Sequence, residues 1–235
     1  MMTQKLLQRV ARQIESLKTV NRPRIDFSTQ FARIDFIPGI EEATGEKLPD
    51  LKAEDAPKRV SDLLRRLSIP LPSHPTLPRM LDKLCSKYLE SQCKEPTFIM
   101  NHPECMSPLA KSFRHPSCNQ TVSARAELFI EGQEMANMYE EENSPFEQRR
   151  KFEEQLRYHD PETPKEVDED YLKVLEWGLP PTGGWGCGLD RLVMFFTGTK
   201  RIADVLSFGN LRSVTKPPLS EQGATADRAE TASQG

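Results

Sequence analysis

The stretch RAELFIEGQEMANMYEEE, residues 125–142, decides the fold. Two apolar-rich runs flank Glu131-Gly132, and an x-Gly pair suits a two-residue turn with positive φ, so the segment reads as a β-hairpin. With the turn at these residues, Ile130 faces Gln133, Phe129 faces Glu134 and Glu127 faces Ala136. Side chains two apart share a face. Glu127 and Glu134 are then diagonal neighbours on one face, about 7–8 Å apart at the backbone. Carboxylates that close repel unless something positive sits between them. A divalent cation also held by phosphate oxygens meets that need, and a solvated acidic face has the same spacing. Asn137, Tyr139 and Glu141 follow at i, i+2, i+4. An amide, an aromatic ring and a carboxylate on one face could hold a small cationic group, although a mixed polar strand face has the same pattern. Strict alternation puts Glu134 on the opposite face from these three. Both sets line one cleft only if a bulge or strong twist intervenes near Met135.

Downstream of the hairpin, Ser144-Pro145-Phe146-Glu147 places serine at an N-cap, proline at the first helical position and glutamate at the third. This is a capping box that starts a helix running to about Arg157. An acidic linker, HDPETPKEVDED (159–170), leads to a second helix ending at Gly178. Then GGWGCGLDRLVMFF (183–196) reads as a glycine-punctuated strand passing into a helix. Gly184, Gly186 and Gly188 leave one strand face without side chains, either to floor a flat ligand or to let backbones pack closely. Arg191 follows at the helix start, where a guanidinium could stack on a base or bind phosphate. The phosphate loop G-x-x-x-x-G-K-[ST] and the Rossmann spacing G-x-G-x-x-G are both absent.

Upstream, Leu6, Leu7, Val10, Ile14 and Leu17 recur at helical spacing over residues 4–18. RPRIDFSTQFARIDF (22–36) reads as one or two strands, broken at Pro38-Gly39. Residues 57–67 and 77–92 read as helices joined by a proline-rich connector, and PTFIM (96–100) as a short strand. Strands paired locally, with helices between them and no regular βαβ alternation, indicate an α+β fold with an antiparallel sheet flanked by helices. The tail 213–235 lacks apolar anchors and is expected to be disordered.

Composition narrows the class. The 235 residues carry 32 basic and 35 acidic side chains, a net charge of −3, so no global basic field exists for nucleic acid. Mean hydropathy is −0.60, and no apolar run approaches the roughly 20 residues of a membrane span. The five cysteines include no C-x-x-C pair, which favours reduced thiols over a zinc site or a disulfide framework. His74, His102, His115 and His159 are scattered and read as structural or exposed. The first residues are basic and amphipathic, as a matrix-targeting peptide would be, but Glu15 and the scarcity of serine fit an ordinary surface helix better.

The order of these segments resembles class II lysyl-tRNA synthetase. GQEMANMYEEEN (132–143), PFEQRRKFEEQ (145–155) and GLPPTGGWGCGLDRLVMF (178–195) follow the family run E-x-F-x-x-G-x-E-x-x-N-x-[YF]-x-E-x-N and its motif 3, G-x-G-x-G-x-[DE]-R. FARIDFIPGIEEATGEKLP (31–49) and EPTFIMNHPECMSPLAK (95–111) look like family segments in the same order. The resemblance covers about residues 20–212, and MYEEENSPFEQR (138–149) looks closest to the fungal mitochondrial type. It implies that Glu127 and Glu134 coordinate magnesium bridging the ATP phosphates. Asn137, Tyr139 and Glu141 would line the lysine pocket, with Glu141 meeting the ε-ammonium. Gly184, Gly186 and Gly188 would floor the nucleotide site, and Arg191 would contact the nucleotide as the catalytic residue. Relatives that handle aspartate or asparagine lack a carboxylate in the Glu141 role. Gln133 departs from the bacterial-type arginine, with little consequence expected.

The implied activity is lysine–tRNA ligation using ATP and Mg2+, with lysine and tRNA-Lys as partners and a homodimer at full length. The compartment would be the mitochondrial matrix or the cytoplasm. Residues 1–212 would form part of the catalytic domain. The anticodon-binding OB-fold, motif 1 and the arginine-bearing motif 2 are expected to be missing. Phe113-Arg114-His115 is not motif 2, because it follows the SPLAK segment. The alternative is a truncated, non-catalytic paralogue that binds lysine, nucleotide or a partner subunit; a tRNA-independent amino-acid ligase also lacks its motif 2. Loss of one preorganised donor costs about 10²–10³-fold in rate. The purified 235-residue chain should therefore give lysine-dependent pyrophosphate exchange at background level, and exchange clearly above background would refute this expectation.

Overall fold

The computed structural model describes residues 2–15, 17 and 25–206. The chain divides into two compact units, residues 1–16 with 24–188 and residues 17–23 with 189–235. The tail expected to be disordered and the first residues of the 22–36 strand segment lie outside the described residues.

The first unit is built on a five-stranded sheet. Its strands are β1 (Ala32–Asp35), β2 (Thr97–Met100), β5 (Arg125–Ile130), β6 (Gln133–Glu140) and β7 (Gly183–Cys187), in the order β1-β2-β5-β6-β7. The last four pair antiparallel, as the α+β reading expects. β1 and β2 pair parallel, and a parallel pair requires a long crossover. Helices α2 (Phe36–Thr44), α3 (Ala56–Arg66) and α4 (Leu77–Tyr88) supply it. Their inward stripes, including Phe36, Ile40, Val60, Leu64, Met80 and Leu84, form the main core with Ile99 and Phe129 of the sheet. Helix α1 (Met2–Glu15) sits on the other face. There Thr3 accepts a hydrogen bond from Trp185 Nε1 at 2.9 Å and donates one to Met138 Sδ at 3.5 Å. Its buried positions are Thr3, Leu7 and Ala11, whereas Leu6 of the expected stripe is exposed. Among the described residues no helix is long and apolar enough to cross a membrane.

The segment at Pro38-Gly39 corrects the sequence reading. These residues do not end a strand but lie in the first turn of α2. Proline is tolerated there because the first N–H groups of a helix have no intrahelical partner. Gly39 lets the helix cross its own strand closely, since a Cβ at this position would come within 2.6 Å of Ile34 Cγ2. A small antiparallel ribbon, β3 (Ser112–Arg114) with β4 (Thr121–Ser123), was also not expected.

Helix α5 (Pro145–Leu156) begins as expected, with Ser144 accepting from the Glu147 N–H at 3.4 Å. The reciprocal half of the box differs. Glu147 pairs with Arg150, and the Ser144 N–H donates instead to Glu142 at 3.1 Å. The other oxygen of Glu142 meets Lys151 at 2.7 Å, and both side chains are buried. Lys151 also donates to the Ala110 carbonyl at 2.6 Å. The acidic linker is pinned by a bidentate pair from Arg79 to Asp160, which holds that carboxyl down at about 2. Helix α6 (Glu169–Glu176) follows, N-capped by Asp168. The second unit contains α7 (Leu189–Thr197) and a short 3-10 turn at Ile202–Asp204.

Breaking a buried ion pair from one side leaves an uncompensated charge and costs about 3–5 kcal/mol. Lys151→Met should lower the thermal midpoint sharply. The double variant Lys151→Met/Glu142→Leu should recover most of the loss, as measured by calorimetry.

Candidate functional site

The hairpin turns at Glu131 (φ 52°) and Gly132 (φ 73°), both in the left-handed region that a tight two-residue turn requires. Ile130 pairs with Gln133 and Phe129 with Glu134, as the simple register expects. The next pair breaks it: Leu128 faces Ala136 and Glu127 faces Asn137. Met135 is thus an extra residue on β6, a β-bulge at the position where the sequence requires one. Glu127 opposite Ala136 is the one pairing that fails.

The consequence is chemical. Cross-strand partners share a face, and so do alternate residues along each strand. Past the bulge, Glu134 therefore lies on the same face as Glu127, Asn137 and Tyr139. The carboxylate pair and the polar strand face form one surface. β7 pairs Gly186 with Asn137 and Gly184 with Tyr139 on its flank. The Met135 carbonyl accepts the Gly188 N–H at 3.0 Å, tying the bulge to the end of β7. Of the three glycines, Gly184 has the clearest steric reason: a Cβ there would strike Glu141 Oε1 and lie 3.6 Å from the Tyr139 ring. At Gly186 the nearest atom is the Asn137 carbonyl oxygen at 3.9 Å, so a side chain has room. Arg191 lies in the second unit, in the first turn of α7.

The two ends of the surface differ in charge balance. Glu127 is mostly buried and firmly held. His102 Nε2 lies 3.1 Å from one carboxylate oxygen, and Arg125 forms an ion pair with the other. Burial pushes Glu127 toward its neutral form, but His102 and Arg125 together outweigh it and hold the carboxyl below its usual value. Arg125 also reaches Asn137 Oδ1 at 3.2 Å, the Met106 carbonyl at 3.1 Å and Ser107 Oγ at 2.9 Å. One guanidinium thus fixes Glu127 together with Asn137, its partner across the hairpin. Glu141 is different. It is half-buried, no hydrogen bond or ion pair among the described residues reaches its carboxylate, and burial raises its pKa. The neighbouring Tyr139 hydroxyl is likewise raised, by burial first and then by Glu141. A desolvated carboxylate beside an aromatic ring is suited to a cation brought by a ligand.

Glu127 and Glu134 offer hard oxygen donors of the kind magnesium takes. Among the described residues no group of three or more His, Cys, Asp or Glu could hold a metal ion by itself. A cation here would complete its shell with phosphate oxygens and water, the ordinary mode for magnesium. His102 and Arg125 escaped the sequence reading. The role of His102 depends on the pairing of β2 with β5, which sets Ile99 beside Glu127, and no local spacing signals it; Arg125 stands two residues before Glu127 on the same strand, a spacing that does place both on one face. A cavity of about 460 Å³ adjoins the site: Arg125, Tyr139 and Gly184 line it together with Met100, Ala126, Met138 and Trp185, one row of the opposite sheet face.

Gly184→Ala should displace the Glu141 carboxylate while leaving the sheet intact. The expected result is unchanged folding by circular dichroism, with loss of the thermal stabilisation that a primary-ammonium ligand gives the unsubstituted chain.

A family model described as tRNA synthetases class II (D, K and N) matches residues 1–212. A mitochondrial lysine–tRNA ligase of Schizosaccharomyces pombe is 40% identical over 221 residues, covering 91% of this chain and 41% of the relative. A probable cytoplasmic lysine–tRNA ligase of Enterocytozoon bieneusi is 38% identical, covering 86% of this chain and 39% of its own length. A lysine–tRNA ligase of Metamycoplasma arthritidis is 39% identical, with shares of 82% and 38%. The chain therefore spans about two fifths of the length of these curated relatives. The extent of the family match, together with the mixed sheet and its flanking helices, establishes that this chain belongs to the class II tRNA synthetases of the D, K and N group.

Proposed function

We propose that the chain carries the amino-acid pocket and part of the nucleotide site of a lysine–tRNA ligase. The activity of the whole protein would be condensation of lysine with ATP to lysyl-adenylate and pyrophosphate, followed by transfer of the lysyl group to the 3′ end of tRNA-Lys. The observation that carries this reading is Glu141, a half-buried carboxylate with no ion pair among the described residues, set beside Tyr139 over Gly184. An aspartate or asparagine side chain, the other substrates of the group, would bring no positive charge to such a site.

In this reading Glu141 receives the ε-ammonium of lysine, and Asn137, held by Arg125, hydrogen-bonds the substrate. Glu127 and Glu134 hold magnesium on the ATP phosphates, Gly184, Gly186 and Gly188 floor the nucleotide site, and Arg191 contacts the nucleotide. Bound magnesium would neutralise phosphate charge and fix the orientation of the triphosphate. The contribution of Glu127 is then a fixed negative oxygen, prepared in advance by His102 and Arg125. Residues 1–212 serve as part of the catalytic domain and 213–235 as a tail, with homodimers formed by the full-length protein. Likeness to the Schizosaccharomyces pombe relative favours the mitochondrial matrix, although other relatives are named cytoplasmic.

Thermal shift with lysine and Mg-ATP tests the pocket. A ligand at 100 times its dissociation constant stabilises the folded state by about 2.7 kcal/mol, or several degrees for a domain of this size. Glu141→Gln should abolish the lysine-dependent shift and leave the Mg-ATP shift in place. An unchanged lysine shift in this variant would refute the assignment.

A further inference from the structure

Buried polar atoms in folded proteins are hydrogen-bonded almost throughout, so a group of them without protein partners calls for a partner from elsewhere. Three such atoms fall in one row of this chain: His102 Nδ1, Ser123 Oγ and Ser112 Oγ. We propose that this row holds an ordered internal water against the His102 ring, and that Ser123 is thereby a positioning residue for Glu127, acting through His102. Its use in catalysis rests on the reading of Glu127 as a magnesium ligand given above.

The register puts the three side chains together. Pro103 bridges Val122 in the antiparallel sense, and the Ser123 N–H donates to the His102 carbonyl at 2.8 Å, so His102 and Ser123 are opposite one another. Ser123 is in turn the partner of Ser112 across the β3–β4 ribbon. Directly opposed residues share a face, so the imidazole and both hydroxyls project from the same side. His102 is 2% exposed and Ser123 0%, and all three polar atoms are shielded from solvent. No protein group among the described residues hydrogen-bonds any of them.

The ring is already oriented on its other sides. Its Nε2 lies 3.1 Å from Glu127 Oε2, and it packs on Phe36 of α2 with centroids 5.2 Å apart and planes at 50°. An ionised carboxylate only accepts, so Nε2 carries the hydrogen, and in the neutral ring Nδ1 is then an acceptor. Nδ1 is bonded to the ring carbon next to Cβ, so it stays close to its own strand and to the residue opposite. Water fits such a set: it donates to Nδ1 and to one hydroxyl, and it accepts from a hydroxyl turned toward it. Which histidine nitrogen carries the hydrogen is set by the bond that the other nitrogen makes. A donor at Nδ1 therefore favours the tautomer and ring orientation that aim Nε2–H at Glu127 before any ligand arrives. Arg125 holds the other Glu127 oxygen independently, so loss of the row should weaken the anchor without abolishing it.

Nitrogen-15 NMR of the full 235-residue chain, labelled in its histidine rings, reads both the tautomer and the hydrogen bond. The His102 signals are identified by their loss in His102→Gln. The expected spectrum shows a single Nε2–H tautomer with Nδ1 shifted as a hydrogen-bonded acceptor. Ser123→Ala should move Nδ1 to the position of a free acceptor or mix the two tautomers, with an unchanged circular dichroism spectrum. Its affinity for manganese(II) with ATP, followed by the paramagnetic resonance of free manganese, should fall about three- to tenfold, as expected for one lost hydrogen bond. A free-acceptor Nδ1 in the unsubstituted chain, or hydrogen on Nδ1, would overturn the inference whether or not the variant folds. His102 signals that Ser123→Ala leaves unmoved would overturn it too. Signals that respond as expected, in a chain that binds no manganese with ATP, would uphold the row and overturn the reading of Glu127 as a metal anchor.

Discussion

One extra backbone residue, Met135, controls what the central sheet can do. Alternation along a strand is strict, so without an insertion Glu134 would face away from Asn137 and Tyr139. The bulge reverses that parity between Glu134 and Ala136 and leaves the pairing intact on both sides. Such an insertion disrupts the ladder locally and leaves a backbone group in need of a partner. Here the Met135 side chain is buried, and its carbonyl takes the N–H of Gly188. The irregularity that gathers the acidic and polar groups also positions the end of the glycine strand beside them.

Two carboxylates on this surface are prepared in opposite ways. Glu127 is surrounded by donors, and its charge persists whether or not a ligand arrives. Glu141 is half-buried with no ion pair among the described residues, and burial raises its pKa, so an entering cation would supply the partner its charge lacks. The first arrangement suits a fixed anchor for a metal ion, the second a selective receptor. Arg125 ties the first to Asn137, its partner across the hairpin, so that carboxylate and amide are held together by one rigid guanidinium. Lysine could not replace it, since its three donors radiate from a point instead of lying in a fork.

What could be read from the sequence follows the range of the interactions. The turn at Glu131-Gly132 and the N-cap at Ser144 depend on residues within four positions of one another, and both are found as expected. The bulge was visible only as a requirement, because two chemically sensible groups of residues could not otherwise share a cleft. Pro38-Gly39 misled because proline and glycine punctuate loops far more often than they open helices. What overrides that preference is the crossing of α2 over Ile34, a contact between elements. The parallel pairing of β1 with β2 joins residues about 65 positions apart and left no mark in either segment. His102 read as an unremarkable histidine for the same reason: it lies in the loop after β2, and its partner Glu127 is on β5.

The buried Lys151–Glu142 pair shows how the pocket is held without being part of it. Desolvating both charges is expensive, and an apolar pair of similar volume would often be at least as stable. The pair does something an apolar contact could not. Glu142 accepts from the Ser144 N–H at the start of α5, and Lys151 donates to the Ala110 carbonyl next to the strand end. Directional bonds on both charges fix the angle between α5, the 108–110 loop and the residue that follows Glu141. Since α5 carries Phe152, and the Tyr171 ring meets Phe152 edge to face, the same pair helps to seat α6 against α5. The strand end that carries Glu141 is therefore braced one residue away, by a buried carboxylate whose charge is paired.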